Sequence, residues 1–305
     1  MSVSTDLVPP PTARTAPAAG VVPLRRPGRW ISAAVVLVVL AAVVRSVITN
    51  DAFQWGVVAE YLTAEVVLRG LGLTLWLTVL TLVLGFALGT LLAVARLSGN
   101  PVLAAVSWGY VWIFRSVPML VQLLFWFNIG ALYPTLSLGV PFGPDFVSIS
   151  STNLIGPLAA VIIGLTLHEA AYAAEIVRGG VISVEQGQVE AALALGMGRG
   201  RILRRIVLPQ AMRSIIPAAG NALIGTLKGT SVVSVLAVQD LLFSVQLIYN
   251  RNYLVIPLLL VATTWYVVVT SVLSVAQYHV ERHYARGAAR ALPPTPWQRL
   301  GGRLR

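Results

Sequence analysis

The stretch EAALALGMGRGRILRRIVLP, Glu190 to Pro209, is the longest strongly basic interruption in an otherwise membrane-like chain. Glu190 to Leu195 is strong helix-forming sequence, and its small residues Ala191, Ala192 and Ala194 let a partner's backbone come close. Gly196, Gly198 and Gly200 break that helix and permit a sharp turn. From Arg201 to Val207 a helix resumes, with Ile202, Leu203, Ile206 and Val207 expected against the membrane and the arginines outward. Pro209 suits the first turn of a following helix, where its missing N–H costs little. The segment predicts a rigid finger between two spans. Taken alone, it also fits an ordinary basic interhelical loop.

The chain around it is 57% hydrophobic and 11% charged over 305 residues, with a mean hydropathy of +0.80. Soluble domains carry about 25% charged residues, so the class is an integral membrane protein. The net charge of +11 comes almost wholly from arginine, Lys228 being the only lysine. Its placement between apolar runs follows the positive-inside rule, and no aromatic-interleaved basic face suggests nucleic acid. The absence of cysteine excludes disulfides, thiol catalysis and thiolate metal sites. Residues 1–29 are rich in Pro and Ala and read as a disordered tail. No clear small-x-small cleavage site follows the next apolar run, which therefore reads as an uncleaved first span.

A membrane-crossing helix needs ~20 mainly apolar residues. Six stretches qualify: about 30–49, 70–95, 113–134, 154–177, 212–239 and 254–280. The apolar run Leu97–Phe114 reads as interfacial or re-entrant ahead of the third. Segment 51–69 mixes apolar and acidic residues and predicts an amphipathic interfacial helix. The connection 135–153 is turn-rich, has no basic residue and is expected on the outer face. Arginines cluster before span one, between spans four and five, and after span six. With six spans, that bias places both termini and the basic finger in the cytoplasm. The fold class is an all-α integral membrane protein of about six transmembrane helices.

The Glu-Ala-Ala opening, the glycine at 196 and the Ile206-x-Leu208-Pro209 close together resemble the EAA loop of ABC-importer permeases, and specifically their polar amino-acid uptake branch (histidine-, glutamine- and glutamate-type). Upstream, Ala170 to Ala192 carries Tyr172, Glu175, Arg178, Gly179, Gly180, Gly187 and Gln188 of that pattern. Downstream, Leu208 to Ser231 ends in Lys228, Thr230 and Ser231, matching Lys-x-Thr-Ser. Phe114 to Phe127 is similar to the family's Arg-Gly-Thr-Pro-Leu-Leu-Val-Gln: Arg115, Pro118, Leu120 and Gln122 are kept, and Ser116 and Val117 replace Gly and Thr.

The resemblance implies a five-helix type I permease core over 65–285, with its coupling loop at 187–209. The N-terminal helix 30–49 is an extra span, and 1–29 and 286–305 are cytoplasmic tails, the latter basic. It implies a bacterial inner-membrane subunit pairing with a second permease copy or a paralogue, an extracytoplasmic solute-binding protein and an ABC ATPase. Glu190, Ala191, Ala192, Gly196, Ile206, Leu208 and Pro209 would meet that ATPase. This chain has no GxxxxGK[ST] phosphate loop. ATP and Mg would therefore sit on the partner, and this chain would bind no cofactor and perform no catalysis. The same machinery could carry an opine, a modified amino acid or a small osmolyte. A secondary transporter would want an internal repeat and a channel a filter ring; neither is visible.

Polar residues inside the spans are the candidates for the cargo path: Lys228, Thr230, Ser231, Tyr172, Glu169 and Gln122. Lys228 either meets a substrate carboxylate or gating acid, or braces helices through a salt bridge. Glu169, Tyr172 and Glu175, at i, i+3 and i+6, share one side of a helix. They either line the path or brace the coupling loop, with Glu175 paired to Arg178. Many relatives carry an acid directly after the Gly-Asn of the fifth span, where this chain has Gly220, Asn221 and Ala222. That argues for neutral or acidic cargo. Gly85 and Gly89 read as a helix-packing GxxxG. His168 has no second ligand at metal spacing.

Overall fold

The computed structural model describes residues 27–139, 145–150 and 155–284, so both predicted tails fall almost wholly outside the described residues. The chain forms two compact units, Met1–Asp51 and Ala52–Arg305. In the first, helix α1 (Pro27–Thr49) matches the expected first span. Proline at its start costs no hydrogen bond, and its Val- and Leu-rich sides are exposed all round, as a single helix in lipid requires.

The second unit opens with α2 (Trp55–Leu62) and α3 (Glu65–Leu97). The segment 51–69 is thus not one interfacial helix: it breaks at Thr63 and Ala64, and Glu65 to Arg69 begin the long α3, where the two side chains pair. After Asn100, whose side chain caps α4 (Pro101–Ser116), the chain bends by 103° into α5 (Met119–Phe127) and a short α6 (Ile129–Leu132). This corrects the third span, expected at 113–134. Pro118 disfavours helix at Val117, so most of the run 97–114 lies in a helix of its own, Pro101–Ser116, ahead of the bend. The turn-rich 135–153 contains an antiparallel hairpin, β1 (Thr135–Gly139) with β2 (Asp145–Ser150), paired Thr135 to Ser150 and Leu136 to Ile149. It is the one departure from an all-helical architecture among the described residues.

Helix α7 (Pro157–Ile182) is the hub, packing along α3 and touching α4 and α5. Two helix backbones can approach this closely only where side chains are minimal. A Cβ on Gly89 would lie 2.6 Å from the Ala173 Cβ and 2.8 Å from the Ala170 carbonyl. The GxxxG of α3 is therefore a packing contact, as expected. The loop helices α8 (Gln186–Ala194) and α9 (Arg199–Ile202) follow, then a π-turn at Leu203–Val207 that runs on into α10 (Leu208–Gly229). A 3-10 segment (Thr230–Leu236) and a 44° bend lead to α11 (Leu241–Asn252), and α12 (Val255–Tyr284) closes the unit.

Among the described residues four helices are long and apolar enough to cross a membrane, and up to six spans result when each bent pair counts as one. Leu77, Leu123, Val161 and Val233 form one core between α3, α5, α7 and the 3-10 segment. Val67, Leu241, Val245 and Val261 form another beside α2. At the second bend, Asp240 accepts from the Phe243 N–H at 2.8 Å and Thr74 Oγ1 accepts from the Leu241 N–H at 3.0 Å. Two donors at the α11 N-terminus, which helix geometry leaves open, are satisfied from within the core.

Candidate functional site

Glycine is required at one point of the finger. Gly196 has φ of +76°, a left-handed conformation that a Cβ opposes, while Gly198 and Gly200 do not share it. The Gly196 N–H donates to the Leu193 carbonyl at 2.9 Å and the Met197 N–H to the Ala192 carbonyl at 3.0 Å, closing the end of α8. Ile202, Val207 and Ala192 are buried together, so the apolar side chains clamp the two arms of the finger to each other. They do not face the membrane as expected, and Leu203 is instead exposed. Gln210 Nε2 donates to Gln188 Oε1 at 2.6 Å and straps the base. Glu190, Ala191, Leu208 and Pro209 are exposed on the surface of the finger, Ile206 is half-buried, and Leu195 protrudes at 82% exposure.

From Arg199 to Gly229 the backbone continues without a non-helical break. A displacement of the finger is therefore a displacement of α10. Along α10, Ala218, Ala222, Gly225 and Thr226 form one wall of a cleft of about 340 Å³. The other wall is α7, with His168, Glu169 and Tyr172.

Glu169 is buried at 7% exposure. Thr226 Oγ1 donates to its Oε2 at 2.8 Å, and its Oε1 has no partner. A buried carboxylate oxygen left without a partner is costly. Gly85 belongs to the site as well: a Cβ there would lie 2.8 Å from the Glu169 Cβ. The packing glycine seats the carboxylate stem.

The other candidates separate. Gln122 is buried; its Nε2 donates to the Phe114 and Val117 carbonyls at 2.8 and 2.7 Å and lies 3.2 Å from His168 Nδ1. It satisfies carbonyls freed by the α4–α5 bend and lies behind the cleft. Lys228 and Ser231 line a different cleft with Tyr266, Thr270 and Ser271. At ~100° per residue, Lys228 lies on the far side of α10 from Thr226. Among the described residues Lys228 makes no ion pair, so the bracing salt bridge is not formed among them. Thr230 is buried and donates to the Leu227 carbonyl at 2.7 Å, outside both clefts.

Glu175 makes the expected pair with Arg178 at 2.7 Å and approaches Arg96 of α3 at 3.8 Å, and neither partner belongs to the finger. Sequence reasoning passed over Thr226, whose only signal was a position one turn beyond Ala222. It also did not single out Arg115 as a site residue, although that residue carried the resemblance.

Comparison with known proteins defines the class. Residues 85–286 match the model for the binding-protein-dependent transport system inner membrane component, and the chain belongs to that family. It is a multi-pass membrane permease component of an ABC importer, a transport subunit and not an enzyme. The arginine transport system permease protein ArgU of Corynebacterium glutamicum is 44% identical over 88% of this chain and 84% of its own length. The glutamate/aspartate import permease protein GltK of Escherichia coli is 35% identical, over 76% of this chain and 99% of its own. The crystal structure of an amino acid ABC transporter with histidines superposes with a TM-score of 0.61 at 30% identity, covering 72% of this chain and 94% of that one.

Proposed function

We propose that this chain imports a cationic amino acid. The carrying observation is the buried Glu169 carboxylate, which lines the cleft beside Ala222 and keeps one oxygen without a hydrogen-bond partner. The acid that residue 222 lacks on α10 is supplied from α7 across the cleft. This reverses the expectation of neutral or acidic cargo, which counted carboxylates on one helix only. The 44% identity to an arginine permease supports the same reading, while the glutamate/aspartate relative shows why likeness alone does not choose the cargo.

In this reading the permease domain is 65–285, with α1 an additional span. Both termini and the finger lie in the cytoplasm of a bacterial inner membrane. Two permease subunits each present a finger to an ATPase that holds ATP and Mg, and an external solute-binding protein delivers cargo. Closure of the ATPase drives the fingers together. Because α9, the π-turn and α10 are one continuous rod, Thr226 then shifts against Glu169, altering access to the carboxylate. Moving such a gate from 1:99 to 99:1 needs ~5.5 kcal/mol of differential binding, which nucleotide binding at a separate subunit can provide.

The test is competition for uptake in proteoliposomes containing the permease, its ATPase and the binding protein. Arginine and lysine should compete strongly and glutamate should not. Glu169→Gln should abolish that preference while the complex still assembles. A binding protein that selects glutamate, or a Glu169→Gln permease that still prefers arginine, would sink the cationic reading.

A further inference from the structure

Tyr172 lines two clefts at once. One is the Glu169 cleft; the other, of about 380 Å³, also includes Arg96, Trp108, Trp112, Arg115 and Glu175. The charges in the second cleft do not balance. Glu175 is engaged by Arg178 at 2.7 Å and Arg96 at 3.8 Å, so the carboxylate of this cleft is already taken. Arg115 lies within the field of Glu175 without forming an ion pair with it. Its guanidinium carbon lies 5.2 Å from the centre of the Tyr172 ring, and among the described residues it makes no hydrogen bond or ion pair. The ring face holds the cation in place by its quadrupole and leaves the donors in the guanidinium plane open. Such a planar fork matches a carboxylate.

We propose that Arg115 is the subsite for the α-carboxylate of the cargo, in the cleft that shares Tyr172 with the Glu169 cleft. The proposal rests on the cationic amino-acid reading above and extends it. Residues 169 and 172 are one helical turn apart, ~5–6 Å between Cβ atoms, and the Arg115 guanidinium carbon lies 5.2 Å from the Tyr172 ring centre. Two opposite charges spaced in this way suit a ligand whose own two charges sit at the ends of a flexible chain. They suit a long-chain cationic amino acid better than a compact zwitterion. Lys228, the other candidate cation, opens onto the far face of α10 and does not share either cleft.

The experiment is equilibrium binding of labelled arginine to the permease–ATPase complex in nanodiscs without the binding protein. Agmatine, which is arginine without its carboxylate, is the competitor. A charge-assisted hydrogen bond predicts that the wild type binds agmatine about tenfold or more weakly than arginine. Arg115→Met should lower arginine affinity to the agmatine level and leave agmatine within about twofold, and Arg115→Lys should restore part of the discrimination.

Equal wild-type affinity for the two ligands overturns the proposal without recourse to any variant. So does an Arg115→Met complex that keeps the wild-type ratio, or loss of the ratio in Lys228→Met in its place. Arginine bound without discrimination leaves the cargo reading standing and removes only the subsite. Binding of glutamate but neither arginine nor agmatine removes both.

Discussion

Substituting Gly196 isolates backbone conformation from packing. An ideal Cβ at this position meets no atom within 4 Å, so no steric clash enters. The whole cost comes from φ of +76°, which for an L-residue is about 1–2 kcal/mol. Asparagine, which tolerates this region, should cost least, alanine more, and β-branched valine most. A loss of 1–2 kcal/mol lowers the ratio of closed to opened turn by a factor of about 5–30. The bonds at risk are those from Gly196 to Leu193 and from Met197 to Ala192, which shape the finger tip beside the exposed Leu195.

The assay is ATPase activity stimulated by loaded binding protein, measured with uptake on reconstituted complexes of equal permease content. Both should fall in the order Asn, Ala, Val, while basal membrane insertion stays unchanged. Wild-type coupling in Gly196→Val would refute the argument. A decline that follows side-chain volume and not φ tolerance would show that contact, not backbone, matters there.

Two further outcomes are expected. Gly89→Leu forces a side chain into the α3–α7 contact, where even a Cβ comes within 2.6 Å of Ala173; overpacking of ~1–3 kcal/mol or more should lower the thermal midpoint of the purified complex, whereas Gly72→Leu, in open space, should leave it nearly unchanged. Reporter fusions should place a site after Arg290 in the cytoplasm and an insertion at Gly143 outside, and the reverse result would remove the finger from the ATPase side.

Much of this protein is legible in its sequence because lipid imposes length and apolarity on each span independently of the others. The helices at 27–49, 65–97, 157–182 and 255–284 lie where the apolar runs put them. The finger is legible because its turn depends on a local property, the freedom of Gly196 to take positive φ. Glu169 stands out because an ionisable group inside an apolar run has few roles open to it. What hydropathy could not show is where the apolar sequence between 97 and 134 breaks: the expected boundary falls near 113, and the bend at Val117–Pro118 comes from a local steric restriction, with Gln122 satisfying the freed carbonyls.

Nor could it show rotation about a helix axis. Lys228 and Thr226 are both polar residues of the fifth span, and sequence alone favours the charged one. Only tertiary packing turns Thr226 toward Glu169 and Lys228 away. The contact of Gly180 with Ile215 and the narrow α3–α7 gap at Gly85 and Gly89 set how α7 and α10 face each other. Span length and apolarity are properties of one segment in its solvent; which face of a helix meets which neighbour is decided by pairs of surfaces far apart in the chain.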